Sequence, residues 1–256
     1  MSAAGVGHVW PGAAYRPVLA LALAATVVAL SAAAADGERP GLPPLVSGAS
    51  LGAGWRMATL PAQQVAVTRF TPELVDGRAA LRIEAVASYG NLVHEPPPGA
   101  LPRRLQWAWR LTQPNPATDL RQKAGDDVAA KVCLSFDLPL ARVPLGERVL
   151  LQLARARTGE HLPAATLCWV WGGAEAPGSV VDNAFSRRVR YVVLRNAADA
   201  GGSWLDESRD IGADFLGAFG DEATTPPPLI AVGVGADADN TGGRSIAHLA
   251  ALRFAP

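Results

Sequence analysis

The chain has 256 residues, of which 49% are hydrophobic and 18% charged, and its formal net charge at pH 7 is zero. This neutral balance argues against a nucleic-acid or anionic-membrane partner, because either would need a basic surface. The length suits one large domain or two small ones. After residue 36 the sequence has no run of about 20 apolar residues, so we expect no membrane span in the mature chain.

The N-terminus has the pattern of a targeting segment. Arg16 precedes the apolar run Pro17–Ala33, and Ala34-Ala35 follows with the small residues of a cleavage site before Asp36. This order is typical of a secretory signal peptide, with an uncleaved membrane anchor as the alternative. We therefore predict a signal peptide over residues 1–35 and a periplasmic or secreted mature protein.

The remainder divides by composition into two parts. Residues 36–50 are rich in Pro and Gly and predict a linker. Residues 51–256 hold short runs with period-two alternation or high β propensity, which predict strands. These runs are Gln64–Phe70, Ala79–Ser88, Arg104–Leu111, Ala129–Phe136, Thr166–Trp171, Arg188–Arg195, Leu229–Gly235 and Ser245–Phe254.

Two short helices are predicted among the strands. One covers Arg148–Arg157, and the other is capped by Asp210 and ended by Gly220. An Asp-Gly pair, Asp76-Gly77, marks a turn between the first two strands. Many short strands with only two short helices predict an all-β sandwich of one domain.

Tryptophans occur in pairs two residues apart. Trp107 and Trp109 share one face of their strand, and Trp169 and Trp171 share one face of theirs. If these faces are exposed they form a platform for sugar rings, and if they point between the sheets they are core. Because Trp buries a large apolar area, we favour the core.

The two cysteines, Cys133 and Cys168, each lie inside a predicted strand. In an exported chain they could form a disulfide. They could also be plain small residues of the core. The sequence leaves both interpretations open.

Five motifs, in order and spacing, carry a resemblance to a known family. They are Trp107–Arg110, Lys123–Val132, Leu167–Gly172, Trp204–Ile211 and Asp237–Gly242. With these motifs the chain, from about residue 55 to the end, resembles the bacterial family called domain of unknown function 3047. The family name implies no activity. Its motifs resemble those of jelly-roll sandwiches that bind sugars, so the resemblance implies a jelly-roll, lectin-like sandwich.

The last motif forms a candidate calcium site. Asp237, Asp239 and Thr241 place oxygen groups at alternate positions, and a Gly follows, as in the first half of a calcium loop. The twelfth position is His248 rather than Glu, so further ligands such as Asp127 would have to come from elsewhere. The alternative is a polar hairpin loop held by its own hydrogen bonds.

The fourth motif holds the other candidate ligand-binding residues, Trp204, Glu207 and Arg209, to which the loop adds Asp237, Asp239 and Asn240. On a strand, Glu207 and Arg209 share a face, which favours an ion pair between them. A glycosidase needs two carboxyl groups about 5–10 Å apart. Glu207 with Asp237 or Asp239 could supply them.

Together these patterns predict an exported, non-catalytic binding module for carbohydrate of the cell envelope or surroundings. We expect it to be a monomer whose partner is a glycan, with calcium as its one candidate cofactor. One alternative is a glycan hydrolase or lyase that uses Glu207 with Asp237 or Asp239. Another alternative is a structural envelope protein.

Overall fold

The computed structural model describes residues 41–159 and 161–256, and most of their regular structure is β-strand. The predicted signal peptide lies outside these residues. The strands, in chain order, are β1 (Val46–Ser47), β2 (Ser50–Leu51), β3 (Arg56–Ala58), β4 (Ala66–Val67), β5 (Arg69–Val75), β6 (Arg78–Val86), β7 (Ser88–His94), β8 (Arg104–Gln113), β9 (Ala130–Phe136), β10 (Ala165–Trp171), β11 (Val180–Asp182), β12 (Val189–Arg195), β13 (Leu205–Asp210), β14 (Leu229–Asp237) and β15 (Arg244–Ala255).

Within the same residues there are two α-helices, α1 (Leu145–Thr158) and α2 (Ile211–Phe219). Asp210 caps α2 as predicted, since its carboxylate accepts a hydrogen bond from the Ala213 N–H. Neither helix combines the length and apolar character needed to cross a bilayer, and the described part of the chain has no other helix that does.

Two sheets stack face to face. The larger sheet has the order β11-β12-β10-β9-β14-β7-β3, with β4 also paired to β7, and the smaller sheet has the order β13-β8-β15-β6-β5. Successive strands change sheet from β6 to β9 and again from β12 to β15, which is the exchange that characterises a jelly roll. The predicted all-β, jelly-roll sandwich with two short helices is confirmed.

One change of sheet occurs at Ala87. The sequence predicts one strand over Ala79–Ser88, but β6 ends at Val86 and β7 begins at Ser88 in the other sheet. Ala87 has a φ of 43°, in the left-handed region that turns the chain sharply. The Ser88 Oγ accepts a hydrogen bond from the Val86 N–H at 3.0 Å and holds the corner.

The turn before β6 is tighter than expected. Strand β5 continues to Val75, so that only Asp76 and Gly77 connect it to β6. Their φ angles, 53° and 75°, are both positive, as a two-residue hairpin turn matching the strand twist requires. The Asp-Gly signal was therefore correct, and the residues before it belong to the strand.

The predicted linker, 36–50, is described only from residue 41 onward. Within it Leu45 is buried in the core, and β1 pairs with β2 across the predicted boundary at residue 50. The Gly52 N–H also donates to the Leu45 carbonyl at 2.9 Å. The sandwich therefore includes the last part of this segment, because an apolar side chain anchors it.

The core between the sheets contains the four paired tryptophans, all at most 2% exposed. Trp107 on β8 lies 5.3 Å from Trp169 on β10, ring centre to ring centre, and Trp109 lies 5.5 Å from Trp171. Each contact joins one sheet to the other. The core interpretation is confirmed, and these four rings form no surface on which a sugar could stack.

The cysteines form a disulfide. Cys133 on β9 lies directly opposite Cys168 on β10, and their sulfur atoms are bonded. The bond lies on the outer face of the larger sheet, where a small second apolar cluster that includes Leu120, Val128 and Tyr191 packs against Cys168. Of the two interpretations left open by the sequence, the paired one is the one the structure has.

Candidate functional site

A pocket opens at the edge of the sandwich where β12, β13 and α2 meet, with a volume of about 460 Å³. We call it the Glu207 pocket. Strand β13 pairs with β8 at the edge of the smaller sheet, so Glu207 and Arg209 project toward the larger sheet. The lining residues are Pro177, Gly178, Val180, Val192, Leu194, Arg195, Glu207, Arg209, Ala213, Asp214 and Gly217.

Glu207 is held by two donors. Its Oε1 accepts from the Arg195 Nε at 2.8 Å and from the Trp109 indole N–H at 3.1 Å. The side chain is only 10% exposed, so the Trp109 bond satisfies a polar group of the core. Glu207 therefore joins the edge of the pocket to the tryptophans beneath it.

Asp214, on the first turns of α2, repeats this arrangement. Its two oxygens each accept from Arg209, through Nε and Nη2, at 2.7 Å, which is a bidentate pair. The Trp169 indole N–H donates to the same carboxylate at 2.7 Å. Hydrogen bonding to Asp214 is the main cause that raises the pKa of Arg209 above its ordinary value.

The predicted ion pair between Glu207 and Arg209 is wrong. Glu207 pairs with Arg195 at the end of β12. Arg209 pairs with Asp214 on α2. The reason is that both side chains point across the pocket instead of along the strand. Spacing on β13 could not reveal Arg195 or Asp214, although Asp214 does lie one helical turn beyond the Asp210 cap.

Trp204 does not line the pocket. It lies just before β13, half-buried, with the guanidinium groups of Arg78 and Arg110 at 4.8 and 5.7 Å from its ring centre. These are cation–π distances. Trp204 therefore belongs to the outer edge of the smaller sheet, and the pocket takes only Glu207 and Arg209 from the predicted ligand-binding residues.

The loop between β14 and β15 forms a second polar cluster, which we call the aspartate network: Asp126, Asp127, Lys131, Asp237, Asp239, Asn240 and Thr241. Asp237 is 4% exposed, and its oxygens accept from the Lys131 Nζ and the Val128 N–H, both at 2.6 Å. Asp127 is fully buried and accepts from the backbone N–H groups of Asn240 and Thr241 at 3.1 and 2.9 Å.

This geometry favours the hydrogen-bonded loop over the calcium site. Lys131 lies against Asp237 where a cation ligated by that carboxylate would have to bind. The Thr241 Oγ1 donates a hydrogen bond to the Asp127 Oδ2 at 2.5 Å. These two oxygens are therefore bonded to each other and not directed at a shared cation. Across the described residues, no three His, Cys, Asp or Glu side chains are placed to hold a metal ion. Three of the candidate ligands, Asp237, Thr241 and Asp127, are thus bound by neighbouring groups of the network, whereas the half-buried Asp239 has one carboxylate oxygen without a hydrogen bond among the described residues.

Glu207 and the aspartate network do not form one site. Asp237 projects from the outer face of the larger sheet, beside Lys131, while its neighbour Ala236 points into the core. Glu207 projects from the smaller sheet into the space between the sheets. The larger sheet therefore separates the two carboxylates, and the two-carboxylate arrangement of Glu207 with Asp237 or Asp239 is not assembled.

Asp126 is only partly hydrogen-bonded within the network. It is 3% exposed; its Oδ2 accepts from the Asn183 Nδ2, and its Oδ1 forms no hydrogen bond with the described residues. Burial, reinforced by the charge of Asp237, raises the pKa of Asp126 to about 6. In the unfolded chain an Asp titrates near 3.9, so the folded protein binds this proton more tightly.

The raised pKa predicts that Asp126 weakens folding increasingly as the pH rises from about 4 to about 6. We expect Asp126→Asn to raise the melting temperature at pH 7.5 by roughly 2–4 °C, the response to about 1 kcal/mol. The gain should shrink toward pH 5. Differential scanning calorimetry of the native protein and the variant between pH 5 and pH 7.5 measures this gain. Burial lowers the pKa of His248, which has the opposite effect on stability, but that effect is present in both proteins and cancels in the comparison.

Asp127→Asn is the matched control, because Asp127 accepts hydrogen bonds through both oxygens. It should lower the melting temperature at every pH. If Asp126→Asn instead destabilises the chain equally at pH 5 and pH 7.5, the Asp126 carboxylate is not the strained group that its burial indicates.

The fold and the pocket define the chain as a jelly-roll β-sandwich with a charged pocket at one edge. Comparison with family models matches residues 53–253 to the family described as protein of unknown function (DUF3047). The chain belongs to this family, as the five motifs predicted. A comparison with curated proteins finds no match.

Three solved structures are similar to this chain in their arrangement of strands. Endoglucanase cel12A from Rhodothermus marinus is 14% identical, covers 83% of this chain and 96% of its own, and has a TM-score of 0.37. Endoglucanase 3 of family GH12 from Trichoderma harzianum is 12% identical, covers 87% of this chain and 99% of its own, and has a TM-score of 0.36. The family 12 xyloglucanase from Bacillus licheniformis is 10% identical, covers 78% of this chain and 98% of its own, and has a TM-score of 0.36.

Proposed function

We propose that the chain is an exported, non-catalytic module that binds carbohydrate in the Glu207 pocket. The observation that carries this proposal is the lining of the pocket. Two guanidinium–carboxylate pairs, Arg195–Glu207 and Arg209–Asp214, stand beside an apolar wall that includes Val180 and Leu194. Neighbouring sugar hydroxyls both donate and accept, and the C–H face of a sugar ring is apolar, so such a lining suits them.

The same contacts support a binding role without catalysis. A glycosidase acid must deliver a proton to the leaving oxygen, and its partner carboxylate must reach the sugar or a water. Here each carboxylate is already bound by an arginine and by a buried indole N–H, which fixes both as acceptors within the fold. Their effect is to hold the arginine donors at the mouth of the pocket.

The size of the pocket limits the ligand. A volume of about 460 Å³ lies in the range of small-ligand pockets and suits one or two sugar rings. We therefore propose a terminal or short saccharide rather than a long chain lying across a sheet. The paired tryptophans take no part in this binding mode, since their rings are in the core.

The test is titration calorimetry against mono- to tetrasaccharides of glucose, N-acetylglucosamine, xylose and galactose. We expect one of these series to bind and Val180→Asp to weaken binding at least tenfold, because a carboxylate on the apolar wall must be desolvated by the ligand. Arg187→Gln is the control, since Arg187 forms surface ion pairs outside the pocket. Release of reducing ends from the bound sugar would mean a hydrolase, and binding of none of them would favour the structural envelope protein.

Export is part of the proposal. It is supported by the Arg16, apolar and Ala-Ala order of the first 35 residues and by the Cys133–Cys168 disulfide, which persists in oxidising compartments. Mass spectrometry of the extracytoplasmic fraction should find an N-terminus near Asp36 and a mass two hydrogens below that of the dithiol. A full-length cytoplasmic product with free thiols would contradict it.

A further inference from the structure

Helix α1 presents its apolar side to solvent. Four large apolar residues are 47–71% exposed, although they belong to a helix of a folded domain. These are Leu145, Val149, Leu150 and Leu153. At 3.6 residues per turn they fall within an arc of about 140° on one side of the helix. Surface helices normally turn such a stripe toward the core.

The polar side of α1 is the side that faces the protein. Glu147 pairs with Arg188 of the adjoining loop at 3.4 Å, and Arg155 donates through Nε and Nη2 to the Leu162 carbonyl at 2.9 and 2.6 Å. The one buried residue of the helix is Leu151. The inverted orientation of α1 is therefore fixed by specific contacts, which leave its apolar stripe without a partner.

The charges around the stripe have one sign. Within α1 the only acidic residue is Glu147, which points inward, whereas the exposed Arg157 lies in the arc between Leu153 and Leu150. Arg142, also exposed, lies three residues before Leu145, the first residue of the helix. In the described residues neither arginine forms an ion pair. The chain as a whole is neutral, but among the described residues of α1 and of the segment just before it, the charged side chains beside the stripe are cations.

We propose that α1 is a membrane-surface helix that lies in the headgroup region of an anionic bilayer, with Leu145, Val149, Leu150 and Leu153 inserted. An interfacial helix needs an apolar stripe bordered by cations, and both are present. A second copy of the chain fits less well, since pairing two of these faces in either direction brings arginines together. The module would thus be held at the lipid surface next to the glycans that it meets.

The experiment uses a single fluorescent label on the full chain. Both native cysteines form the disulfide, so Leu153→Cys supplies one free thiol for an environment-sensitive dye. With phosphatidylglycerol–phosphatidylcholine vesicles we expect a blue shift and quenching by lipids brominated in the acyl chain. Arg157→Gln should weaken the partition roughly fivefold, the effect of one arginine near an anionic surface. Val149→Gln with Leu150→Gln should abolish it and leave the melting temperature unchanged, because both side chains are exposed.

The control is the same dye at Leu74→Cys, an exposed leucine on β5 that is 73% accessible. Because the apolar run Pro17–Ala33 could itself attach the chain to lipid, the comparison of two label positions separates insertion of α1 from attachment elsewhere. No shift at residue 153 on anionic vesicles, or an equal shift at residue 74, would overturn the proposal. So would a shift that depends on protein concentration without vesicles, which would indicate self-association.

Discussion

Replacing Trp107 by Ala should lower the unfolding free energy by about 3–5 kcal/mol, the range for a large aromatic side chain removed from a packed core. Trp107 is 2% exposed and touches both Trp109 of its own strand and Trp169 of the opposite sheet. Its indole N–H forms no hydrogen bond with the described residues, so the loss is one of packing alone.

Thermal melting measures this loss, which corresponds to a fall of roughly 6–20 °C for a chain of this size. Trp204→Ala is the control, because Trp204 is half-buried at the edge and mainly contacts two arginines. Its effect should be several times smaller. If Trp107→Ala had the same melting temperature as the native protein, the stack of tryptophans between the sheets would not be the main core.

The second large effect is expected at Lys131. Its amine lies 2.6 Å from the Asp237 carboxylate, and both side chains are at most 7% exposed. Burial opposes the charge on Lys131, but Asp237 and the nearby Asp126 raise its pKa above the ordinary value, so the amine stays protonated. Lys131→Met leaves Asp237 buried without its counter-charge, which typically costs about 3–5 kcal/mol.

A double-mutant cycle isolates this pair. Asp237→Asn keeps an acceptor for the Val128 N–H while removing the charge, so the combination of Lys131→Met and Asp237→Asn should recover much of the stability lost in Lys131→Met. Urea unfolding of the four chains at pH 7.5 gives the coupling. Strictly additive losses would show that the two charges do not depend on each other.

Local patterns were enough to predict the sandwich. Trp107 and Trp109 share one face of β8 while Gln106 and Arg110 share the other, which predicts the buried side, because successive side chains of a strand point to opposite faces. The Asp76-Gly77 turn and the Asp210 cap were also correct, since each depends on the conformation of two or three adjacent residues. The pattern failed at two changes of sheet, because predicted strand Gln64–Phe70 is divided between β4 and β5 and predicted strand Ala79–Ser88 between β6 and β7.

The site could not be predicted in the same way, because its partners are distant in the sequence. Glu207 and Arg195 lie on strands of different sheets, and Lys131 and Asp237 are 106 residues apart. Which carboxylate meets which cation is decided by how the sheets stack. The oxygen-rich residues Asp237, Asp239 and Thr241 therefore suggested a calcium ion. In the structure, the positive charge beside Asp237 is Lys131 on the neighbouring strand.

The spacing of apolar residues on α1 was equally ambiguous. The sequence predicts a helix over Arg148–Arg157 with leucines between the arginines, and the observed helix begins earlier, at Leu145, directly after Pro144. Amphipathic spacing indicates that one side is apolar, but not that this side faces the core. Glu147 and Arg155 decide the orientation through contacts that only the folded chain brings together.

The central claim is that the chain binds its ligand in the Glu207 pocket and not at the oxygen-rich loop. The most direct test compares two variants in calorimetric titrations with the saccharide that binds the native chain. Arg195→Gln with Arg209→Gln removes both pocket cations, and Asp239→Asn with Asn240→Ala changes one half-buried and one exposed side chain of the loop while sparing the Asp237–Lys131 pair. We expect at least a tenfold loss of affinity in the pocket variant and none in the loop variant, and the reverse result would contradict the account.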